Sequence, residues 1–157
     1  MGDRAYVNLN IPLAHAEEVM ALLREHQDLP NDQGPNDDET YNMGFEEVNN
    51  GNLVLLPELQ RRGIAYNSSW GAGDEFSEGT QYLRFTPTGE AIKFDVYDTE
   101  LDVIPISKLD PVFHAPNGTV QDLLRIVQQH VAAITPLPWD DQVAYGKVYR
   151  TRQLIEQ

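Results

Sequence analysis

The sequence predicts an α+β protein: an antiparallel meander of four to five strands with helices packed on one face. Three observations carry this. Two runs rich in β-branched and aromatic residues, Thr80 to Thr86 and Ala91 to Tyr97, flank a Pro87-Thr-Gly89 turn, which is a hairpin signal. The chain opens with alternating apolar residues that give way to helical periodicity. Between Val120 and Ile134 apolar residues recur at helical spacing.

Ala5 to Ile11 reads as a strand, with Val7, Leu9 and Ile11 on one face and Tyr6, Asn8 and Asn10 on the other. Pro12 suits the first turn of a helix in which Leu13, Ala16, Val19, Met20 and Leu23 share a side. Residues 28–42 carry two prolines, a glycine and no periodicity, so an acidic surface loop is expected there. Tyr41, Met43 and Phe45 alternate, as a short edge strand would. Leu53 to Arg62 reads as helical. Pro57 fits best if that helix starts near Leu56, and Gly63 follows at its C-terminal cap.

Ile64 to Trp70 and Val103 to Ile106 are the outer strand candidates of the meander. Leu109 to Pro116 reads as a connector. Thr119 is a good N-cap with Asp122 three residues on. Val120, Leu123, Leu124, Val127, Val131 and Ile134 then form the apolar stripe of a helix. Trp139 to Ile155 is a second helix, with Asp140 and Asp141 at its start and Lys147, Arg150 and Arg152 nearer its end. A strand through Gln142 to Tyr149 is the competing reading. No linker divides the chain, so one domain over 1–157 is expected.

Charge is the outlier. With 25 acidic against 11 basic residues the formal net charge is −14. Such a field repels nucleic acid and anionic membranes and attracts basic partners. No cysteine is present, which excludes disulfides, thiol nucleophiles and Cys-ligated metals. The first residues lack a signal peptide's apolar run, and a cytoplasmic location is expected. Asn67-Ser-Ser and Asn117-Gly-Thr match glycosylation sequons, which a cytosolic chain never uses.

The motifs that carry chemistry are weak. The Gly71 to Gly79 segment is glycine-rich, but Asp74, Glu75 and Glu78 would repel phosphate and no Gly-Lys-Ser/Thr follows. Asp98, Glu100 and Asp102 alternate. On a strand their carboxylates would share a side and offer a divalent-metal site, as in a metal-dependent nuclease or phosphoesterase, although no suitably spaced lysine accompanies them. Of the histidines, His15 stands three residues before Glu18, a pair without a third ligand. No nucleophile, base and orienting group stand at a recognisable spacing. The expectation is a protein without catalytic residues or cofactor, with the metal-dependent enzyme as the alternative and an assembly protein without mimicry as a further one.

The acidic residues are concentrated rather than sprinkled. Between Arg24 and Arg61 there are nine acids and no Lys or Arg. Between Asp74 and Asp110, ends included, nine more face three basic residues. Acidity for solubility alone is the bland explanation. The functional one is that carboxylates imitate the phosphates of a nucleic acid, which carries one charge per ~1.7 Å of duplex axis. On that reading Asp32, Asp37, Asp38, Glu39, Glu46, Glu47, Asp74, Glu75 and Glu78 are the partner-binding residues. Residues 142–153 reverse the trend, with Lys147, Arg150 and Arg152 and no acid. Besides complementing the helix dipole, that end of one copy can meet the acidic face of another, giving a homodimer through residues 139–157.

Three stretches carry a resemblance. They are Gly63-Ile-Ala-Tyr66 with Trp70-Gly-Ala-Gly-Asp-Glu-Phe76, then Thr80-Gln-Tyr-Leu-Arg-Phe85, and Thr135-Pro-Leu-Pro-Trp-Asp-Asp-Gln-Val-Ala-Tyr-Gly146. Together they resemble small acidic proteins of uncharacterised function carried on bacterial plasmids and phages, over about the last two thirds of the chain. The resemblance supplies no catalytic residues. It implies a mobile-element origin, and with it the class of antirestriction and anti-CRISPR inhibitors, several of which mimic nucleic acid. The expected partner is a basic host protein, with no direct contact to nucleic acid or membrane.

Overall fold

The computed structural model describes residues 3–73, 76–98, 104, 106–135 and 138–157. Its centre is a six-stranded antiparallel sheet in the order β2-β3-β1-β4-β5-β6. Strand β1 (Arg4–Pro12) lies in the middle because it is buried on one side throughout. Val7, Leu9 and Ile11 are each 0% exposed. Full burial of such a side chain stabilises by about 1.5–3 kcal/mol. After a single 3-10 turn over Leu13–His15, helix α1 (Ala16–His26) lays Val19, Met20 and Leu23 on the same core, as the periodicity predicts.

The strand count exceeds the four to five expected, and the difference lies in residues 28–42. They form not one long loop but β2 (Asp32–Pro35), a tight turn, and the start of β3 (Thr40–Asn49). Strand β3 is no short edge strand either. It is ten residues long and sits between β2 and β1. Gly34 and Pro35 carry no strand propensity. They extend because β3 offers an open row of backbone donors and acceptors, so Asp32 pairs with Gly44 and Pro35 with Tyr41.

Helix α2 (Leu56–Arg61) begins where Pro57 allows it and buries Leu56 and Leu59. Gly63 takes φ 70° at its end. The meander follows as expected: β4 (Tyr66–Trp70), β5 (Gly79–Phe85) and β6 (Ala91–Tyr97), all antiparallel. Ile106 opens a helix rather than closing a strand, while Val103 and Pro105 fall outside the described residues. The expected connector is therefore largely helix α3 (Ile106–His114). Helix α4 (Val120–Ile134) has the capping box read in Thr119 and Asp122. Helix α5 (Trp139–Ile155) excludes the competing strand.

The helices cover both faces of the sheet, not one. Helices α1 and α2 pack on the side of Leu9 and Leu83. Lys93 is the residue paired with Leu83, so Phe94 beside it points to the opposite face. There the His130 ring of α4 meets Phe94 edge-on at 5.7 Å, and Lys108 of α3 lies 5.1 Å over the same ring. Helix α4 is also rolled relative to expectation. His130 is buried against the sheet, while Val120, Leu124, Val127 and Val131 of the predicted core stripe are exposed.

Candidate functional site

The β2–β3 hairpin gathers six of the expected partner-binding acids at one side edge of the sheet. Asp32 is exposed on β2, the edge strand, opposite Gly44. Its carboxylate accepts a hydrogen bond from the Tyr6 hydroxyl at 3.2 Å. The pair closes directly over Gly44: an added Cβ there would lie 2.1 Å from the Tyr6 oxygen and 2.4 Å from Asp32 Oδ1, so a larger residue would push the two exposed side chains aside. Desolvation, then Asp32 and Glu46, raise the Tyr6 pKa above the ordinary phenol value.

Asp37 and Asp38 form the hairpin turn. Asp38 Oδ1 accepts hydrogen bonds from the backbone N–H and the hydroxyl of Thr40, so its charge helps to shape the turn. Glu39 completes it with φ 63°. At the other end of β3, Glu46 and Glu47 stand where the β1–β3 register shifts. Two residue steps, from Ala5 to Val7, face three, from Phe45 to Val48. Glu47 holds φ 56° in that bulge and pairs with Arg4. Glutamates thus occupy left-handed positions at both ends of β3, where glycine would relieve the steric cost. The local backbone alone does not call for a carboxylate at either position.

Other expected residues lie elsewhere. Glu78 precedes β5, at the opposite end of the strand order, and its carbonyl accepts from the Asp98 N–H at 3.2 Å. Asp74 and Glu75 fall outside the described residues. Asp98 is exposed after β6, and Glu100 and Asp102 are again outside. Among the described residues no group of three His, Asp or Glu side chains is placed to hold a metal ion. His15 and Glu18 do approach, at 3.6 Å, with burial lowering the His15 pKa against the opposing pull of Glu18. That pair belongs to the α1–α2 joint, where Arg62 bridges Glu18 and Glu58 at 2.9 and 2.6 Å.

The basic end of α5 is partly committed within the chain. Arg152 donates to the carbonyl of Thr88 at 2.9 Å and pairs with Glu156. Tyr149 packs against Phe85, with ring centroids 4.8 Å apart. Lys147 and Arg150 remain exposed.

One surface feature was not singled out in the sequence. The sheet face opposite the main core is paved with amides where α4 does not cover it. Register places Asn42, Asn10 and Asn67 in one row across β3, β1 and β4. The next row runs from Gly44 through Asn8 and Ser69 to Thr80. Asparagine is depleted in strands, so four on one face depart from propensity. The Oδ1 atoms of Asn8 and Asn42 have no hydrogen-bond partner within the protein. The signal was present in the alternation of Asn8 and Asn10 with Val7, Leu9 and Ile11.

At the end of the first row Arg84 is 4% exposed and donates to Asn67 Oδ1 at 2.6 Å. Its guanidinium lies 5.4 Å from the Tyr82 ring centroid and 5.0 Å from that of Trp139. Burial lowers its pKa to about 10. In place of a carboxylate, the charge is met by the carbonyls of Tyr66 and Leu83, each at 3.0 Å, and by the two rings.

Fold and surface together define an α+β protein with an acidic sheet edge beside an amide-lined face. No helix among the described residues is long and apolar enough to cross a membrane. Comparison with protein-family models, with curated proteins and with solved structures found no match.

Proposed function

We propose that this protein is a non-enzymatic binding protein that occupies a basic groove of a nucleic-acid-handling protein, its carboxylates standing in for phosphates. The observation that supports the reading most is the β2–β3 hairpin. It lines up Asp32, the Asp37–Glu39 turn and the Glu46–Glu47 bulge on one open edge. The three strand steps from Asp32 to Pro35 span roughly 10 Å before the turn begins, the axial length of about six duplex charges. Exposed charge pairs contribute about 0.2–1 kcal/mol each, so the array acts collectively. Within the mimicry reading, an inhibitor of a host defence or nucleic-acid enzyme is the role that the resemblance to plasmid and phage proteins favours.

Capture of partners from a bacterial lysate at low salt tests it. The expected result is a nucleic-acid-binding protein that elutes at moderate salt and is displaced by duplex DNA or RNA. Recovery only of partners indifferent to nucleic acid and to salt would sink the reading. A homodimer through residues 139–157 is a second proposal, favoured by the exposed Lys147 and Arg150.

A further inference from the structure

The exposed stripe on α4 and the amide rows are two sides of one groove. Ile126 and Gln129 of α4 line a cavity with Ser107, Lys108 and Pro111 of α3, against Phe94 at the outer strand β6. His130 points down to the sheet. At 100° per residue, Val120, Leu124, Val127 and Val131 then project roughly a quarter turn from His130, on the side away from α3. That side overlooks β4, β1 and β3. The result is an aliphatic wall beside a floor of Asn67, Ser69, Asn8 and Asn10. Trp139 stands at one end of the floor, over Arg84. Asp32, bonded to Tyr6, stands with Glu46 at the far rim.

The dimensions suit one helix. Strands lie about 4.8 Å apart, so β4, β1, β3 and β2 extend roughly 19 Å beyond β5. A helix packed 8–10 Å from α4 would lie over β4 and β1, leaving about 10 Å to the rim. The wall, twelve residues from Val120 to Val131, is about 17 Å long, or three turns. Chemistry changes across the groove in a fixed order: aliphatic on α4, neutral amide on the floor, carboxylate at the rim.

We infer that the groove receives an amphipathic helix of the partner. Its apolar stripe would lie on Leu124 and Val127, its polar side on the asparagine amides, and its Lys or Arg residues would reach Asp32 and Glu46. This rests on the reading of the partner as a basic protein, and it names the element the partner presents. An amide floor suits this occupant because each Asn carries both donor and acceptor.

The test uses the full chain and a fluorescein-labelled 14-residue peptide of leucine and lysine with helical amphipathic spacing. A scrambled peptide of the same composition is the control. Anisotropy at low salt should show the amphipathic peptide binding at least tenfold tighter than the scrambled one. Leu124→Gln with Val127→Gln should remove that preference, while Gln121→Ala on the outer side of α4 keeps it. Equal affinity for the two peptides overturns the inference. So does a preference that survives the double substitution in a protein with unchanged circular dichroism.

If the double variant does not fold, photo-leucine in the apolar stripe of the peptide should cross-link the wild type within residues 120–131. Cross-links confined to other segments overturn the inference. Failures of the two readings separate cleanly. Binding that responds to salt and to Asp32→Asn with Glu46→Gln, but without helix preference, removes the groove and keeps the acidic-partner reading. Helix preference indifferent to salt and to those substitutions does the reverse.

Discussion

The Gln142 side-chain amide pairs with both main-chain groups of Phe85. Phe85 N–H donates to Gln142 Oε1 at 2.8 Å, and Gln142 Nε2 donates to the Phe85 carbonyl at 3.2 Å. The β4–β5 register pairs Tyr66 with Leu83, so residue 64 would face Phe85 if β4 continued. It does not continue, and a glutamine from α5 takes the place of a strand residue. One buried side chain thereby fastens the C-terminal helix to the sheet.

Gln142→Leu leaves two buried backbone groups unpaired. Each costs about 1–3 kcal/mol, so a loss near 3 kcal/mol is expected. Urea unfolding followed by tryptophan fluorescence should show a lower midpoint at unchanged slope. A loss under 1 kcal/mol would mean that water replaces the glutamine without difficulty.

Gly146→Ala tests another fastening point of α5. An added Cβ would lie 1.8 Å from the Gly63 carbonyl oxygen, a backbone atom that cannot swing aside. Alanine is the better helix former by about 1 kcal/mol, so propensity alone predicts stabilisation. The close approach predicts the opposite sign, with a loss of about 2 kcal/mol or more, comparable to an overpacked core. Thermal melting decides between the two.

Glu39→Gly separates stability from binding. The backbone at φ 63° suits glycine, so the change should be neutral or stabilise by up to about 1 kcal/mol. Binding to the captured partner should weaken all the same, as it should for Asp37→Asn with Asp38→Asn. Undiminished affinity in a folded Glu39→Gly protein would remove this carboxylate from the contact surface.

Acid should loosen the α1–α2 joint. Hydrogen bonds from Arg61 and Arg62 hold the Glu58 carboxyl down to about 2, against 4.5 for the free group. A depressed carboxyl stabilises the fold above about pH 4.5, and the contribution fades as pH falls from there towards 2. Glu58→Gln should cost about 1 kcal/mol at pH 7 and much less at pH 2.5. Melting temperatures of both proteins across that window measure the difference. Equal gaps at the two values would argue against the pairing.

Charge reversal at Lys147 and Arg150 tests the dimer without disturbing the packed side of α5, as removal of residues 139–157 would. Sedimentation at low salt should give a dimer for the wild type and a monomer for Lys147→Glu with Arg150→Glu. A monomer in both cases removes the proposal.

The parts legible in the sequence are those governed by local periodicity and local capping. Val7, Leu9 and Ile11 alternate, and a strand is the only regular element that puts them on one side. Thr119 and Asp122 satisfy each other's backbone at a helix start wherever that helix lies. Pro57 sets where α2 begins, and Pro87-Thr-Gly89 turns β5 into β6. Concentrated acidity between Arg24 and Arg61 was equally plain, because charge composition needs no fold.

Tertiary structure decided the rest. Gln33, Gly34 and Pro35 have no pattern of their own and become a strand because β3 presents unpaired backbone groups beside them. The apolar residues of α4 span an arc wide enough to bury either Leu123 or Leu124. Contact of the His130 ring with Phe94 set the roll, and so left Val120, Leu124, Val127 and Val131 bare. Asn8, Asn10, Asn42 and Asn67 are scattered over sixty residues of chain, and only the register of three strands makes them one surface. Hydrogen-bond pairing between strands and the choice of which helix side meets a sheet are long-range competitions, and no single segment contains both competitors.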